Sequence, residues 1–376
     1  MNEKKLLAVC VLTYRHPDTI KNIIPQWLLL LRELDFDLYY LDSSPEPETK
    51  EIIEEYESQS SRIHYVKVSP EYKGKGFLPY HKDFLHGCYR YFWPIKDRVV
   101  PTIGLMMKIY MCLINGCDAV EISPKHPNET FEPMRYKEEY TDCAEFYKDF
   151  AWSAIDIQAS IYSYDTVFSH YDERMILERY PEPGFNHTMG FFHYLAELDS
   201  CRIFYINVGT KKCTFLSYPT PSGWRLNNSG LELFGYNWPK TNRALPDIYA
   251  PYRAEAVKAE TNLPALFGTV DGIMSLHFSD ESNRKYANLM LQHWEDYSDV
   301  PVGIAEAILE QNYNSVYEWI IKTLNRYIAE EETQKAAQFC AGCRLFIERT
   351  PFYQNAGNRD TFDLLVSYYN KAGMDE

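Results

Sequence analysis

The chain has 376 residues, 45% hydrophobic and 24% charged, which is enough for one large domain with an appendage or for two domains. Its formal charge of −15 leaves no global basic footprint, which excludes nucleic acid as an expected partner and disfavours an anionic membrane except through a local basic patch. The nine cysteines are odd in number and scattered, so no disulfide framework is expected. The lone Cys340-x-x-Cys343 motif lacks the second ligand pair of a structural zinc site. Tyr is abundant, at 31 residues, which suits either sugar-stacking surfaces or a composition simply rich in Tyr. The apolar run Leu6–Leu12 ends in Thr13-Tyr14-Arg15 and does not read as a signal peptide. No stretch approaches the roughly 18 apolar residues of a membrane span. A cytoplasmic protein is expected, at most peripheral to the inner face of the membrane.

In chain order, Leu6–Leu12 is continuously apolar and predicts a strand buried on both faces. His16-Pro17-Asp18 breaks it, and Asp18 is a candidate cap for a helix through Ile20, Ile23, Ile24, Trp27, Leu28 and Leu31. Pro25 inside that pattern predicts a kink or a late start. Asp37–Leu41 predicts a second strand, Asp42-Ser43-Ser44-Pro45 its turn, Glu48–Tyr56 a helix and Ile63–Val68 a third strand. This βαβαβ opening implies a parallel sheet with helical crossovers. A Lys/Gly loop at 72–76 precedes a helix expected around 83–91. Next come a short strand Tyr91–Ile95 ending at Lys96-Asp97-Arg98, a helix from about Pro101 to Asn115, and a strand Ala119–Ile122. Residues 124–150 read as an irregular charged excursion, Trp152–Tyr164 as a strand, and Phe204–Val208 and Thr214–Ser217 as two more. Beyond Trp238 the prolines Pro246, Pro251 and Pro264 punctuate the chain. Helical spacing then takes over in Ala305–Gln311, Val316–Ile328 and Gln334–Ile347. These C-terminal helices fit packing on the rest of the chain, a homodimer contact or, least well given their acidity, a membrane contact.

Ligands of open α/β sheets sit at the carboxyl ends of strands, and three such ends carry polar residues: Thr13-Tyr14-Arg15-His16, Asp42-Ser43-Ser44 and Asp97. Asp and Ser are ordinary turn formers, but three strand ends together form what a nucleotide pocket requires.

The segments Val9–Tyr14 with His16–Thr19, Leu38–Thr49 and Trp93–Arg98, in that order, resemble the donor half of family 2 glycosyltransferases of the bacterial cell-surface polysaccharide type, over roughly the first 125 residues. The resemblance implies a GT-A fold, the α/β class with a Rossmann-like mixed sheet, followed here by a C-terminal helical region. It implies a GT-A domain at 1–240, with a donor half at 1–125 and an acceptor half at 126–240, and helices at 241–376. It implies transfer from a nucleotide-sugar, a UDP-sugar in the first instance, to a glycan or lipid-linked acceptor by a hexosyltransferase of the inverting kind. Asp42 would contact the uracil or ribose. Asp97 would stand at the DXD position that binds ribose and a Mn or Mg diphosphate.

Two departures are plain in the residues. Asp97 is the only acid of its element, flanked by Lys96 and Arg98, so either one carboxylate holds a cation together with the diphosphate or the basic residues neutralise the phosphates directly. The region where the family keeps its carboxylate base, Phe185–His193, holds no acid. His187 or His193 would serve there, with Asp149 and Asp156 as weaker alternatives. Thr13, Tyr14, Arg15, Ser44, Lys75, Arg98 and Trp224 complete the expected donor contacts, and His81-Lys82-Asp83 is a further candidate lining. A non-catalytic GT-A-like partner protein is the competing reading, favoured by the missing acids.

Overall fold

The computed structural model describes residues 4–69, 85, 87–123, 136–168, 170, 172–181, 184–208, 212–218, 231–259, 268–275, 286, 288–296, 298–350 and 367. Lys75, Trp224 and the 81–83 triplet lie outside these residues. Contacts divide the chain into one unit of Met1–Ser222 with Lys240–Ala256 and another of Gly223–Pro239 with Val257–Glu376.

In the first unit β1 (Lys5–Thr13) is fully buried from Leu7 to Val11, as its unbroken apolar run requires. It pairs in parallel with β2 (Asp37–Asp42) on one side and with β4 (Tyr89–Lys96) on the other. β3 (Ile63–Lys67) continues beyond β2. After β4 the direction changes: β8 (Ser160–Ser163) runs antiparallel to β4 and to β6 (Ala119–Ser123), and β9 (Ile203–Asn207) parallels β6. With β7 (Glu139–Tyr140) the order is β3-β2-β1-β4-β8-β6-β9-β7. This is the α/β mixed sheet with a Rossmann-like parallel half that the sequence predicts. A separate two-stranded sheet joins β5 (Val99–Pro101) to β10 (Phe215–Ser217).

The helix α1 (Pro17–Glu33) inserts Ile20, Ile23, Ile24, Trp27, Leu30 and Leu31 into this core. It begins earlier than the Pro25 argument allows. Pro17 occupies the first turn, where its missing N–H costs nothing, and the helix runs on through Pro25. Asp18 does not cap it: His16 stands at the N-cap position, and no side chain caps the turn. α2 (Glu48–Glu57) follows β2 as expected. The residues Tyr89–Tyr91, expected to close a helix, belong to β4 because they pair with Lys5 and Leu7 of β1.

The larger correction concerns 143–164. Its first part is a helix, α4 (Cys143–Ala154), and only Ser160–Ser163 is strand. Asp142 accepts hydrogen bonds from the Ala144 and Glu145 amides, so the helix has the N-cap that the charged look of 124–150 conceals. Its Phe146, Tyr147 and Phe150 then pack at helical spacing against Phe191, Phe192, Tyr205 and Tyr249. Part of the Tyr content is spent inside: Tyr40, Tyr140, Tyr147, Tyr162, Tyr164, Tyr180 and Tyr249 are all fully buried.

In the second unit the helices α8 (Val302–Leu309) and α9 (Tyr313–Ala329) meet the expectation. The predicted helix 334–347 is two, α10 (Thr333–Ala341) and α11 (Arg344–Arg349). The break has a cause. The carboxylate of Asp271, in α7 (Val270–Ser275), accepts from the Leu345 and Phe346 amides and so starts a new helix there. A Cβ at Gly342 would lie 2.7 Å from the Thr269 methyl.

Two glycines give a matched test. In α3 (Ile103–Ile114), a Cβ at Gly104 would lie 2.2 Å from the Lys212 carbonyl oxygen, an immovable backbone atom that Thr102 Oγ1 also hydrogen-bonds at 2.9 Å. Gly303 has nothing within 4 Å of such a Cβ. Gly104→Ala is expected to lower unfolding free energy by about 2–3 kcal/mol. Gly303→Ala should raise it by about 0.5–1 kcal/mol, because the helix then loses less backbone entropy on folding. Urea unfolding of both variants checks the pair, and equal effects would refute the close approach.

Candidate functional site

β1 pairs with β2 on one side and β4 on the other, so the chain's course through the sheet reverses between β1 and β4. The cleft outside their carboxyl ends is where such sheets bind ligands. Thr13 aligns with Asp42 across β1–β2, and Leu12 with Lys96 across β1–β4. The three polar strand ends chosen from sequence therefore stand side by side. Lys67, ending β3, extends the row.

The turn after β2 is built on Asp42. Its carboxylate is fully buried and accepts from the Ser44 amide (2.8 Å) and from the Tyr65 hydroxyl (3.0 Å). Ser44 Oγ in turn accepts from the Arg15 amide (2.7 Å), and Lys67 donates to the Ser44 carbonyl. Arg15 sits at φ +59, the left-handed region that costs a non-glycine residue about 1 kcal/mol or more. The Ser44 bond holds it there. Its guanidinium pairs with Glu46 at 2.9 Å and lies over the Tyr14 ring, 5.2 Å from the centroid. Thr13 Oγ1 is buried with no hydrogen-bond partner among the described residues, a polar atom whose orphaning costs about 1–3 kcal/mol.

Across the cleft, Asp97 Oδ2 lies 2.8 Å from His16 Nδ1. The carboxylate is buried while the ring is 40% exposed. Lys96 turns to Asp156 in an ion pair, and the Arg98 carbonyl accepts from the Tyr218 amide, joining the site to the β5–β10 ribbon. As a cation site this set fits poorly. A hard dication favours several oxygen ligands. Here one carboxylate stands between two basic residues with an oxygen already engaged by an imidazole, and no group of three His, Cys, Asp or Glu gathers among the described residues.

Of the two expected bases, His187 comes closer to this row. It opens α6 (Asn186–Leu195). Its Nε2 donates to the Ile155 carbonyl at 3.3 Å, while Thr188 Oγ1 donates to the Ala154 carbonyl at 3.0 Å. Both satisfy carbonyls that the end of α4 leaves without helical partners. Burial pushes the His187 imidazole down to about 4, with the Ile155 bond and Asp156 opposing, so it is neutral near pH 7 and a poor proton acceptor. His193 lies farther along α6, where Nδ1 meets the Tyr180 hydroxyl at 3.1 Å and Nε2 faces Glu197 at 3.5 Å. Burial lowers it too. Asp156, following α4, is the part-exposed acid in this neighbourhood, held by Lys96 and by Gln158.

Sequence reasoning missed Glu121. It is fully buried mid-strand in β6, accepts from Ser160 Oγ at 2.7 Å, and its second oxygen has no partner among the described residues. Burial pushes its carboxyl up to about 8, against the hydrogen bonds of Ser153 and Ser160. The one signal was an acid inside an otherwise apolar strand, Ala119-Val120-Glu121-Ile122. The His16–Asp97 pair has no sequence signal, because 81 positions separate its members.

No protein-family model matches the sequence, and no curated protein matches it. Several solved structures are similar in fold. S. aureus TarS 1-349 in complex with UDP-GlcNAc shares 14% identity over 83% of this chain and 90% of that one, with a TM-score of 0.49. Mannosyltransferase PcManGT from Pyrobaculum calidifontis, in complex with GDP-Man and Mn2+, shares 14% over 78% and 86%, at 0.41. The galactosyltransferase LgtC, bound to donor and acceptor sugar analogues, shares 10% over 53% and 73%, at 0.36. Two of the three are named as sugar transferases, and the third holds UDP-GlcNAc. Identities and scores this low transfer no substrate and no residue role.

Glu121 yields a pH test. An acid whose pKa is raised on folding keeps its proton while the unfolded chain releases it, so stability falls as pH climbs from the ordinary carboxylate range towards about 8. Between those limits one such group contributes a slope of about 1.4 kcal/mol per pH unit. Glu121→Gln should flatten that part of the curve and unfold later than the parent in urea at pH 7.5. Parallel pH curves for the two proteins would sink the assignment.

Proposed function

We propose that this chain is a glycosyltransferase that takes a sugar from a nucleoside-diphosphate donor, a UDP-sugar in the first instance. Its acceptor would be a hydroxyl of a glycan or lipid-linked acceptor in surface polysaccharide synthesis. The observation that carries the reading is the convergence of Thr13–His16, Asp42–Ser44 and Lys96–Arg98 on the β1/β4 reversal. Asp42 acts through the turn it fixes, which presents Ser44 and Arg15 to the nucleoside. The residues after β4 face the diphosphate. Residues 1–125 would form the donor half and 126–222 with 240–256, which belong to the same unit, the acceptor half, with the second unit as a helical appendage.

In a single inverting displacement, the acceptor oxygen attacks the anomeric carbon as its bond to the diphosphate breaks. The acceptor proton passes to a nearby base, and the rate gain lies mainly in stabilising the departing phosphates. Asp156, which is part-exposed, fits the base better than His187, which is buried with its Nε2 engaged by the Ile155 carbonyl. The non-catalytic reading draws on that same burial of His187.

Thermal unfolding with UDP, GDP or UDP-sugars tests the binding half. A ligand at 100 times its dissociation constant adds about 2.7 kcal/mol to the folded state. No shift with any nucleotide would remove the enzyme reading. Turnover tests the chemistry. Asp156→Asn should cut transfer at least 100-fold, the order of a lost general base, with nucleotide affinity unchanged or tighter because Lys96 is released. His187→Asn should cost stability, by about 1–2 kcal/mol, and leave turnover per folded molecule within a few fold. The reverse pattern would make His187 the base, and transfer absent under every condition despite nucleotide binding would favour the non-catalytic partner.

A further inference from the structure

We propose that His16, held by Asp97, is the group that meets the donor's diphosphate, an imidazole ring standing where the resemblance calls for a divalent cation. The inference rests on the donor-binding reading and names how that site handles charge.

The placement is the first support. His16 follows β1 and Asp97 follows β4, the two parallel strands that flank the reversal. Their 2.8 Å contact therefore spans the cleft where a phosphate group would lie. The chemistry of the contact is the second. An ionised carboxylate only accepts, so Nδ1 carries the proton, and the ring is fixed with Nε2 on its other edge. Nε2 has no hydrogen-bond partner among the described residues. Asp97 is 9% exposed and the ring 40%, so the pair is dry on the carboxylate side and open on the imidazole side.

The neighbouring charges point the same way. Arg15 is paired with Glu46, Lys96 with Asp156, and Lys67 rests on the Ser44 carbonyl. Among the described residues, Asp18 in the first turn of α1 and Arg98 next to Asp97 are the other charged residues adjacent to the pair in sequence. A dication at Asp97 Oδ2 would have to displace the imidazole and would find Lys96 and Arg98 on either side. An imidazole between a carboxylate and a phosphate oxygen instead holds a proton on each nitrogen, with two charge-assisted hydrogen bonds. As the bond to the anomeric carbon breaks and charge gathers on the diphosphate, the Nε2–H bond strengthens, so the interaction favours the transition state over the bound donor. No proton need leave the ring.

Calorimetric titration of UDP, GDP, uridine and guanosine tests this in EDTA and in excess MnCl2. The wild-type chain should bind the preferred diphosphate in EDTA within about threefold of its affinity in manganese. His16→Gln should weaken that diphosphate tenfold or more and leave the matching nucleoside unchanged, a contrast that a merely structural role would not produce. The His16 side chain caps no helix amide, so this variant is expected to fold. Asp97→Asn, which keeps a hydrogen-bond acceptor for the ring but removes the charge, should show a smaller loss of the same kind. Diphosphate binding that requires manganese, or an equal loss for diphosphate and nucleoside in His16→Gln, overturns the proposal and leaves the donor-binding reading standing. Absence of binding by all four ligands in both media overturns both.

Discussion

β1 is hydrogen-bonded in parallel on both edges and covered on both faces, and most of the molecule follows from that one condition. From Leu7 to Val11 no polar side chain can be tolerated, because none would find a partner. Polar chemistry is therefore pushed to the carboxyl end of the strand, to Thr13 and the residues that follow it. Parallel pairing then brings the ends of β2 and β4 level with it, since parallel strands in register start and stop together. The cleft between β1 and β4 is a consequence of the chain crossing to opposite sides after β1.

The same constraint explains what could be read from the residues. Strands with both faces buried announce themselves as apolar runs, so β1, β2 and β6 were legible, and so were the polar residues that end them. Helix α4 was not, because Glu145, Lys148 and Asp149 interrupt the spacing of Phe146, Tyr147 and Phe150, and its cap Asp142 is lost among the charges around it. The break between α10 and α11 was hidden for another reason: its cap, Asp271, comes from a helix about 70 residues earlier in the chain. Long-range partners are invisible to spacing arguments, and His16–Asp97 and Glu121–Ser160 belong to this class.

Buried carboxylates in this chain meet three different fates. Asp37 is paired with Lys5 and accepts from the Tyr89 hydroxyl. Asp42 is surrounded by donors and fixes a turn. Glu121 has hydroxyl partners only, and burial raises it until it is neutral over much of the physiological range. Desolvation is common to the three, so the difference lies in the donors available: a cation or a backbone amide stabilises the ion, and hydroxyls compensate it less. Asp97 lies between these cases, with an imidazole as its partner.

That intermediate position gives the strand-end row its character. Three cations there lean on an acid or a carbonyl of the chain itself: Arg15 on Glu46, Lys96 on Asp156, Lys67 on Ser44. The two carboxylate pairs are part-exposed and individually worth at most about 1 kcal/mol, so they are cheap to open. An incoming diphosphate can exchange them without a large penalty. The His16–Asp97 contact is different, because its acid is buried and cannot turn to water. Opening it would leave the buried carboxylate without its imidazole partner. The row therefore combines exchangeable ion pairs with one fixed pair at its centre, and the fixed pair sets where an anion can settle.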